Sequence, residues 1–426
     1  MAVKKVLPGV LSGTVTIPAS KSIAHRALIC ASLAKGTSVI RGLALSQDIQ
    51  ATIQCMKALG AQMNWEADTL IVKGINPGRQ PKKVDLDCGE SGSTLRFLIP
   101  VAGALGAGAC FTGRGRLKDR PLSVYEEVLQ NHGLNWTRQE DWLPLEISGQ
   151  LTAGTYKVRG DVSSQFITGL LLALPLLPEE SKIEITTELE SEPYVNLTLA
   201  AMHSFGVTAE KTDTGYWIRG GQRYRARDYT VEGDYSQAAF ILAAGVLAAG
   251  EDGICLKGLL SDTLQGDAKI LDILKDMGAE FVWEEENVLR IFRAKKLENV
   301  TVDASQCPDL VPVIAALGCY GEGVMRILRA ARLRLKESDR LSAVHTEYAK
   351  LGAEITELPD GLEITGHPEG YLGGCADSQN DHRIAMALAV FALGTDSGVT
   401  VQDAESVCKS WPDFWEDFAY IGGNYG

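Results

Sequence analysis

Apolar residues in this chain fall into two kinds of run. Three blocks are apolar on almost every face of a helix: 97–107 (FLIPVAGALGA), 166–177 (FITGLLLALPLL) and 238–250 (AAFILAAGVLAAG). A helix apolar all round belongs at the centre of a core, with other elements covering it. Between the blocks lie short runs with the period of a half-buried strand, and helices with one apolar face. The first stretch shows the order. A helix is predicted over about 22–35, apolar at Ile23, Ala27, Leu28, Ala31 and Leu33. A strand (TSVIRG) and a helix over about 47–59 follow, then two strands, AQMNW and TLIVKG, joined by a turn at Glu66, Ala67 and Asp68.

The order helix-strand-helix-strand-strand recurs from Ser93, Gln165, Ser236, Leu310 and His382, and glycines mark its period. Gly60, Gly133, Gly206, Gly278 and Gly352 follow helical runs at successive spacings of 73, 73, 72 and 74 residues, and Gly422 continues the series. A second series, Gly36, Gly106, Gly250, Gly321 and Gly394, runs out of phase, with Leu177-Pro178 in the vacant slot. A glycine just past an apolar helix is commonly a left-handed C-cap, so both series predict helix ends. Repeats of about 72 residues are too long for a solenoid unit and too short for an independent enzyme domain. Six of them predict an α/β fold of two similar domains, each of three repeats with central helices and outer sheets. The expected limits are 16–227 for the first domain and 1–15 plus 228–426 for the second. The basic stretch 223–227 is the expected linker, and the N-terminal strands are expected to pair into the second domain.

Composition narrows the function. The 426 residues are 45% hydrophobic, ample for two cores. A net charge of −13 argues against nucleic acid or a membrane surface as partner. Nine cysteines are dispersed with no C-x-x-C pair, the pattern of reduced thiols in the cytoplasm. The six histidines lack metal-ligand spacing, and neither a P-loop nor a dinucleotide fingerprint occurs, so no metal and no cofactor is expected. Pro8, Gly9 and Gly13 argue against a signal peptide, and the longest apolar run, 238–249, is too short to span a bilayer.

Chemistry gathers where each first helix begins. These corners carry Lys21-Ser22, Gly92-Ser93-Thr94, Ser163-Ser164-Gln165, Asp234-Tyr235-Ser236, Pro308-Asp309 and Asp381-His382-Arg383. The first three offer hydroxyls, an amide, a Gly and a Lys; the last three offer carboxylates. Each Ser or Asp has a plain structural reading as an N-cap, worth about 1 kcal/mol. That reading leaves out the cations found nearby in an acidic chain: Lys21, Arg26, Arg96, Arg120, Lys336, Arg340, Arg383 and Lys409. Helix N-termini, hydroxyls and Arg forks together make an anion site, and predict a ligand with several negative charges.

Eight segments carry a resemblance: PASKSIAHRAL (18–28), CGESGSTLR (88–96), KDRPL (118–122), SSQFITGLL (163–171), SEPY (191–194), LKESDRL (335–341), NDHRIAM (380–386) and KSWPDF (409–414). In this order they resemble the enolpyruvyl transferases, and the resemblance runs over essentially the whole chain. It implies a monomer that transfers the enolpyruvyl group of phosphoenolpyruvate to the 5-hydroxyl of shikimate 3-phosphate. The site residues it implies for shikimate 3-phosphate are Lys21, Ser22, Arg26, Ser163, Ser164, Gln165, Ser191, Tyr194, Asp309 and Lys336. For phosphoenolpyruvate they are Lys21, Gly92, Arg120, Gln165, Arg340, Arg383 and Lys409. Asp309 is the implied base toward the hydroxyl. Glu337 is the implied proton donor toward the methylene carbon, with Lys21 or Lys409 as further candidates, and its environment is expected to raise its pKa. The plain reading of Glu337 is an i, i+3 ion pair with Arg340. Gly92 permits close approach of backbone to ligand, and leaves room for glyphosate as an inhibitor. Glu90, Ser93, Phe97 and Arg332 depart from the family's usual Asn, Thr, Pro and Asn. Transfer to UDP-N-acetylglucosamine is the nearest alternative, although the loop GRGRLKDRPL lacks the Cys usual in that branch. An RNA-terminal phosphate cyclase is disfavoured by the negative charge, and a non-catalytic anion-binding scaffold by the presence of both carboxylates.

Overall fold

A computed structural model describes residues 2–76 and 83–426. The chain divides into two compact units. Lys21–Val231 forms the first-half unit, with repeats one to three; Met1–Ser20 and Glu232–Gly426 form the second-half unit, with repeats four to six. The crossings thus fall a few residues beyond 15/16 and 227/228, because Asp228–Thr230 still pairs, parallel, with Thr37–Arg41. The stretch 223–227 is no linker. Tyr224 is buried and donates to the Leu172 carbonyl, and the Arg225 amide donates to that of Phe205.

Twelve α-helices are present among the described residues. The first-half unit holds α1 (Lys21–Leu33), α2 (Gln47–Ala58), α3 (Gly92–Leu105), α4 (Ser123–Gln130), α5 (Ser164–Ala173) and α6 (Glu192–Ser204). The second-half unit holds α7 (Tyr235–Ala248), α8 (Lys269–Asp276), α9 (Val311–Gly318), α10 (Arg340–Ala349), α11 (His382–Ala392) and α12 (Phe414–Tyr420). The first helix of each repeat is the apolar one. In α7, 13 of 14 residues are buried, and every residue of α9 and α11 is. These three pack on one another in a single core.

Each repeat also carries one strand more than its hydrophobic pattern predicts. Six four-stranded sheets form, three per unit, and in each a short strand lies parallel to the strand after the first helix. Lys83–Asp87 and Thr301–Asp303 play this part in repeats two and five. In repeat four the parallel partner comes from the N-terminus, Leu11–Thr16 beside Ala249–Lys257; in repeat six it is Gly374–Asp377, and Val3–Leu7 joins that sheet antiparallel.

The first glycine series does what its spacing predicts, with φ from 78° at Gly206 to 111° at Gly60. The second series does so only at Gly36 and Gly106. Gly250 lies inside the strand Ala249–Lys257, which follows α7 directly, with Ala249 rather than a glycine at the C-cap. A Cβ at Gly321 would sit 2.3 Å from Asn299 Oδ1, and one at Gly394 would sit 2.3 Å from the Tyr320 ring. Those two glycines serve close packing.

Candidate active site

In the first-half unit two corner cations, Arg26 and Arg96, meet neutral oxygens. Arg26 is buried on α1, and its guanidinium donates to Thr198 Oγ1 (2.8 Å), the Ser22 carbonyl (2.6 Å) and the Tyr194 carbonyl (2.8 Å). It returns over the first turn of its helix, as its spacing predicts, and ties α1 to α6. Burial lowers its pKa to about 10. Arg96, buried on α3, donates to Gln165 Oε1 (2.7 Å), and the Gln165 amide donates in turn to Ser93 Oγ (3.0 Å). Gln165 is therefore aimed by two residues of α3. Ser163 caps α5, and Ser164 is buried beside it. Ser191 is held at φ 56° before α6 without making a capping bond; a non-glycine residue there is unusual and marks functional corners. The Arg120 guanidinium lies over Gly92, where a Cβ would come within 2.8 Å of Nη1. The glycine at this corner thus makes room for Arg120.

Lys21, by contrast, pairs with a carboxylate, Asp48 Oδ2 at 2.9 Å. One turn on, His25 Nδ1 lies 2.7 Å from Thr52 Oγ1, so α1 and α2 meet in two rungs. From Thr52 the chain of hydroxyls continues to Thr94 and Ser91, each step 2.7 Å, reaching the N-cap of α3. Burial first, then Lys21 and Arg26, push the His25 imidazole well below its ordinary pKa.

The second-half unit uses carboxylates. Asp309 meets Arg340 Nη1 (2.8 Å), Lys336 Nζ (3.2 Å) and Arg383 Nη2 (3.2 Å). Although it stands at the start of α9, its side chain faces these cations; Leu310, without a side-chain bond, occupies the N-cap. The plain N-cap reading fails here and holds at Asp234 and Asp381. Burial opposes ionisation of Asp309, but Arg383, Lys336 and Arg340 outweigh it and hold the carboxyl well below its ordinary range. Burial likewise lowers the pKa of Lys336. Arg340, itself buried, also reaches Asp381 Oδ2 through Nε (2.8 Å) and Glu337 Oε2 through Nη2 (2.9 Å). The i, i+3 ion pair of Glu337 is thus present. Lys409 Nζ donates to the Asn380 carbonyl at 2.7 Å. Arg332 is buried and donates to the Ser305 carbonyl.

A family model described as EPSP synthase (3-phosphoshikimate 1-carboxyvinyltransferase) matches residues 7–418. The chain belongs to the EPSP synthase family. Proteins named 3-phosphoshikimate 1-carboxyvinyltransferase from Clostridium kluyveri and Clostridioides difficile are 48% and 45% identical to it over 417 and 430 residues. Each alignment covers 98% of this chain, and 96% and 97% of the relative. A solved EPSP synthase from Acinetobacter baumannii matches with a TM-score of 0.84 at 24% identity, covering 100% of this chain and 99% of that one. The enolpyruvyl transferase NikO from Streptomyces tendae matches with a TM-score of 0.80 at 18% identity, covering 100% and 98%. At those identities the structures speak to the fold, which is that of the EPSP synthase family.

Within this family frame, three residues that the resemblance assigned to neither substrate hold residues that it did assign. Asp48 holds Lys21, Arg96 holds Gln165, and Asp381 holds Arg340. A signal existed for Arg96, four residues after Gly92 as Arg26 is after Ser22. For Asp381 there was none, since capping α11 already accounted for it.

Proposed function

We propose that this chain transfers the enolpyruvyl group of phosphoenolpyruvate to the 5-hydroxyl of shikimate 3-phosphate, releasing phosphate. The observation that carries this reading is Asp309, a carboxylate at a helix start turned away from capping and gripped by Lys336, Arg340 and Arg383. The high identity to relatives bearing the corresponding name supports it. The resemblance assigns Lys21, Gly92, Arg120, Gln165, Arg340, Arg383 and Lys409 to phosphoenolpyruvate. Shikimate 3-phosphate takes Lys21, Ser22, Ser163, Ser164, Gln165, Ser191, Tyr194, Asp309 and Lys336. Arg26 takes part by fixing Ser22 and Tyr194, whose carbonyls it binds.

In the first step the 5-hydroxyl oxygen bonds to C2 of phosphoenolpyruvate and gives up its proton, while the methylene carbon gains one. In the second, the C2–O bond to phosphate breaks and the methyl group returns a proton. Asp309 accepts the hydroxyl proton. Its three cations alone make it a weak base; anions bound to Arg340 and Arg383 offset those cations and restore its basicity. Glu337 serves the carbon once Arg340 engages the ligand. Fixed guanidinium groups neutralise the departing phosphate. The test is phosphate release from phosphoenolpyruvate with each acceptor in turn. Release with shikimate 3-phosphate and none with UDP-N-acetylglucosamine is expected, and the reverse would replace this reading with the alternative.

A further inference from the structure

Glu347, on α10, is fully buried, yet nothing in the proposed reaction uses it. Its Oε2 accepts from the Asp377 backbone amide (2.8 Å) and its Oε1 from the Gln379 side-chain amide (2.7 Å), with Lys350 bridging both oxygens at 2.7–2.8 Å. Asp377 precedes, and Gln379 lies within, the turn that leads into α11. The Asp381 amide donates to the Ser378 carbonyl (3.0 Å), closing the turn, and its two central residues both lie in the left-handed region, Gln379 at φ 55° and Asn380 at φ 53°. Two consecutive positive-φ residues suit Gly and Asn; a Gln in the first position is strained and persists only where its surroundings over-determine it. Glu347 supplies that constraint by gripping the Gln379 side chain and the backbone two residues before it.

Three of the cations assigned to phosphoenolpyruvate hang on this turn. Lys409 donates to the Asn380 carbonyl, Arg340 is bound by Asp381, and the Asp381 side chain caps α11 at the Arg383 amide (2.9 Å). Lys336, assigned to shikimate 3-phosphate, pairs instead with Asp309. We infer that Glu347 is a positioning residue: it locks the left-handed Gln379-Asn380 turn and so sets Arg340, Arg383 and Lys409 for phosphoenolpyruvate. This rests on the substrate assignment above.

Loss of the clamp leaves the Asp377 amide unsatisfied and the turn free to relax. For Glu347→Ala we expect KM for phosphoenolpyruvate to rise about tenfold, the scale of one lost buried hydrogen bond, and KM for shikimate 3-phosphate to stay within about twofold. Glu347→Gln, which can still accept from Asp377 and meet Gln379, should recover most of the loss. Gln379→Gly should do the same in the Glu347→Ala background, because glycine enters the left-handed region without cost. An equal rise in both KM values, or a fall in melting temperature with both unchanged, overturns the inference. If Glu347→Ala does not fold, Gln379→Val, with Glu347 intact and a β-branched residue opposing the turn, must raise KM for phosphoenolpyruvate; an unchanged KM is equally fatal. Hydrogen exchange separates this idea from the substrate assignment. Without any substrate, Glu347→Ala should speed exchange over 377–383 and leave α5 as it was, and unaltered exchange there refutes the clamp even in an enzyme that prefers another acceptor.

Discussion

In the second-half unit, Arg340, Lys336 and Arg383 are held by carboxylates, Asp309 above all. In the first-half unit, Arg26 and Arg96 are held by hydroxyl, carbonyl and amide oxygens. Both arrangements satisfy buried guanidinium groups, but they answer an arriving anion differently. An anion at Arg26 or Arg96 meets guanidinium groups bonded to neutral oxygens, and at Lys21 it competes with Asp48. An anion at the second-half corner must compete with Asp309, Glu337 and Asp381 for Arg340. On the proposed reaction, proton chemistry would belong to the second half, where an anion competes with carboxylates for Arg340, and recognition to the first.

The largest break in this contrast comes from the second-half carboxylates. Asp309→Asn and Glu337→Gln keep size and polarity and remove a proton carrier. Turnover should fall by about 10²–10⁴, the range for general acid–base groups, while both variants still bind shikimate 3-phosphate. Glu337→Gln should also suppress exchange of solvent deuterium into the methylene of phosphoenolpyruvate. If Glu337 were only the ion-pair partner of Arg340, rates would be close to normal and stability slightly lower, and the donor role would pass to Lys21 or Lys409.

Much of this was legible in the sequence because the repeat puts equivalent residues at equivalent corners. Gly60 through Gly422 fixed the helix ends, and the all-apolar blocks fixed which helices are central. Beyond the N-terminal strands, which were expected to pair into the second domain, the short parallel strands were not read from the sequence. Asp228–Thr230 and Thr301–Asp303 have three residues each, too few to display a period. In the site, the types and spacing of Asp309, Lys336, Arg340 and Arg383 pointed to one cluster, which the structure brings together. What spacing cannot show is which groups a buried Arg has already engaged. Arg26 is a strut between helices, and Asp381 does more than cap.

Asp381→Asn sharpens the contrast next. Asn caps a helix as well as Asp does, so the substitution isolates the loss of charge opposite Arg340. Leaving a buried charge without its partner costs 3–5 kcal/mol as a rule. Arg340 still meets Asp309 and Glu337, so about 3 kcal/mol is expected in chemical unfolding followed at Trp411 and Trp415, both buried in the second half. The corresponding first-half change, Gln165→Ala, leaves Arg96 its contact with the Pro121 carbonyl and should cost about 1 kcal/mol, the scale of one hydrogen bond. Equal losses at the two positions would mean that charged and neutral partners hold these guanidinium groups alike.

The smallest effect is one of pH, and the halves should answer to it in different windows. Asp309 and Asp381 have depressed pKa values in the folded state. Their contribution is therefore complete above the unfolded value of about 3.9 and is lost only as pH falls below it. His25 is also depressed, chiefly by burial, with Lys21 and Arg26 adding to it. For a histidine the unfolded value is about 6.5, so the unfolded chain begins to take up a proton there that the folded ring refuses. One pH unit below that point the first-half unit should have lost about 1 kcal/mol, while the carboxylate cluster of the second is unaffected. Limited proteolysis at pH 5.5 should then cut first within Lys21–Val231, and His25→Gln should abolish the difference between pH 7.5 and pH 5.5. Should the first cuts fall in the second half, or persist unchanged in His25→Gln, the acid response of the first-half unit does not come from the ring beside Thr52.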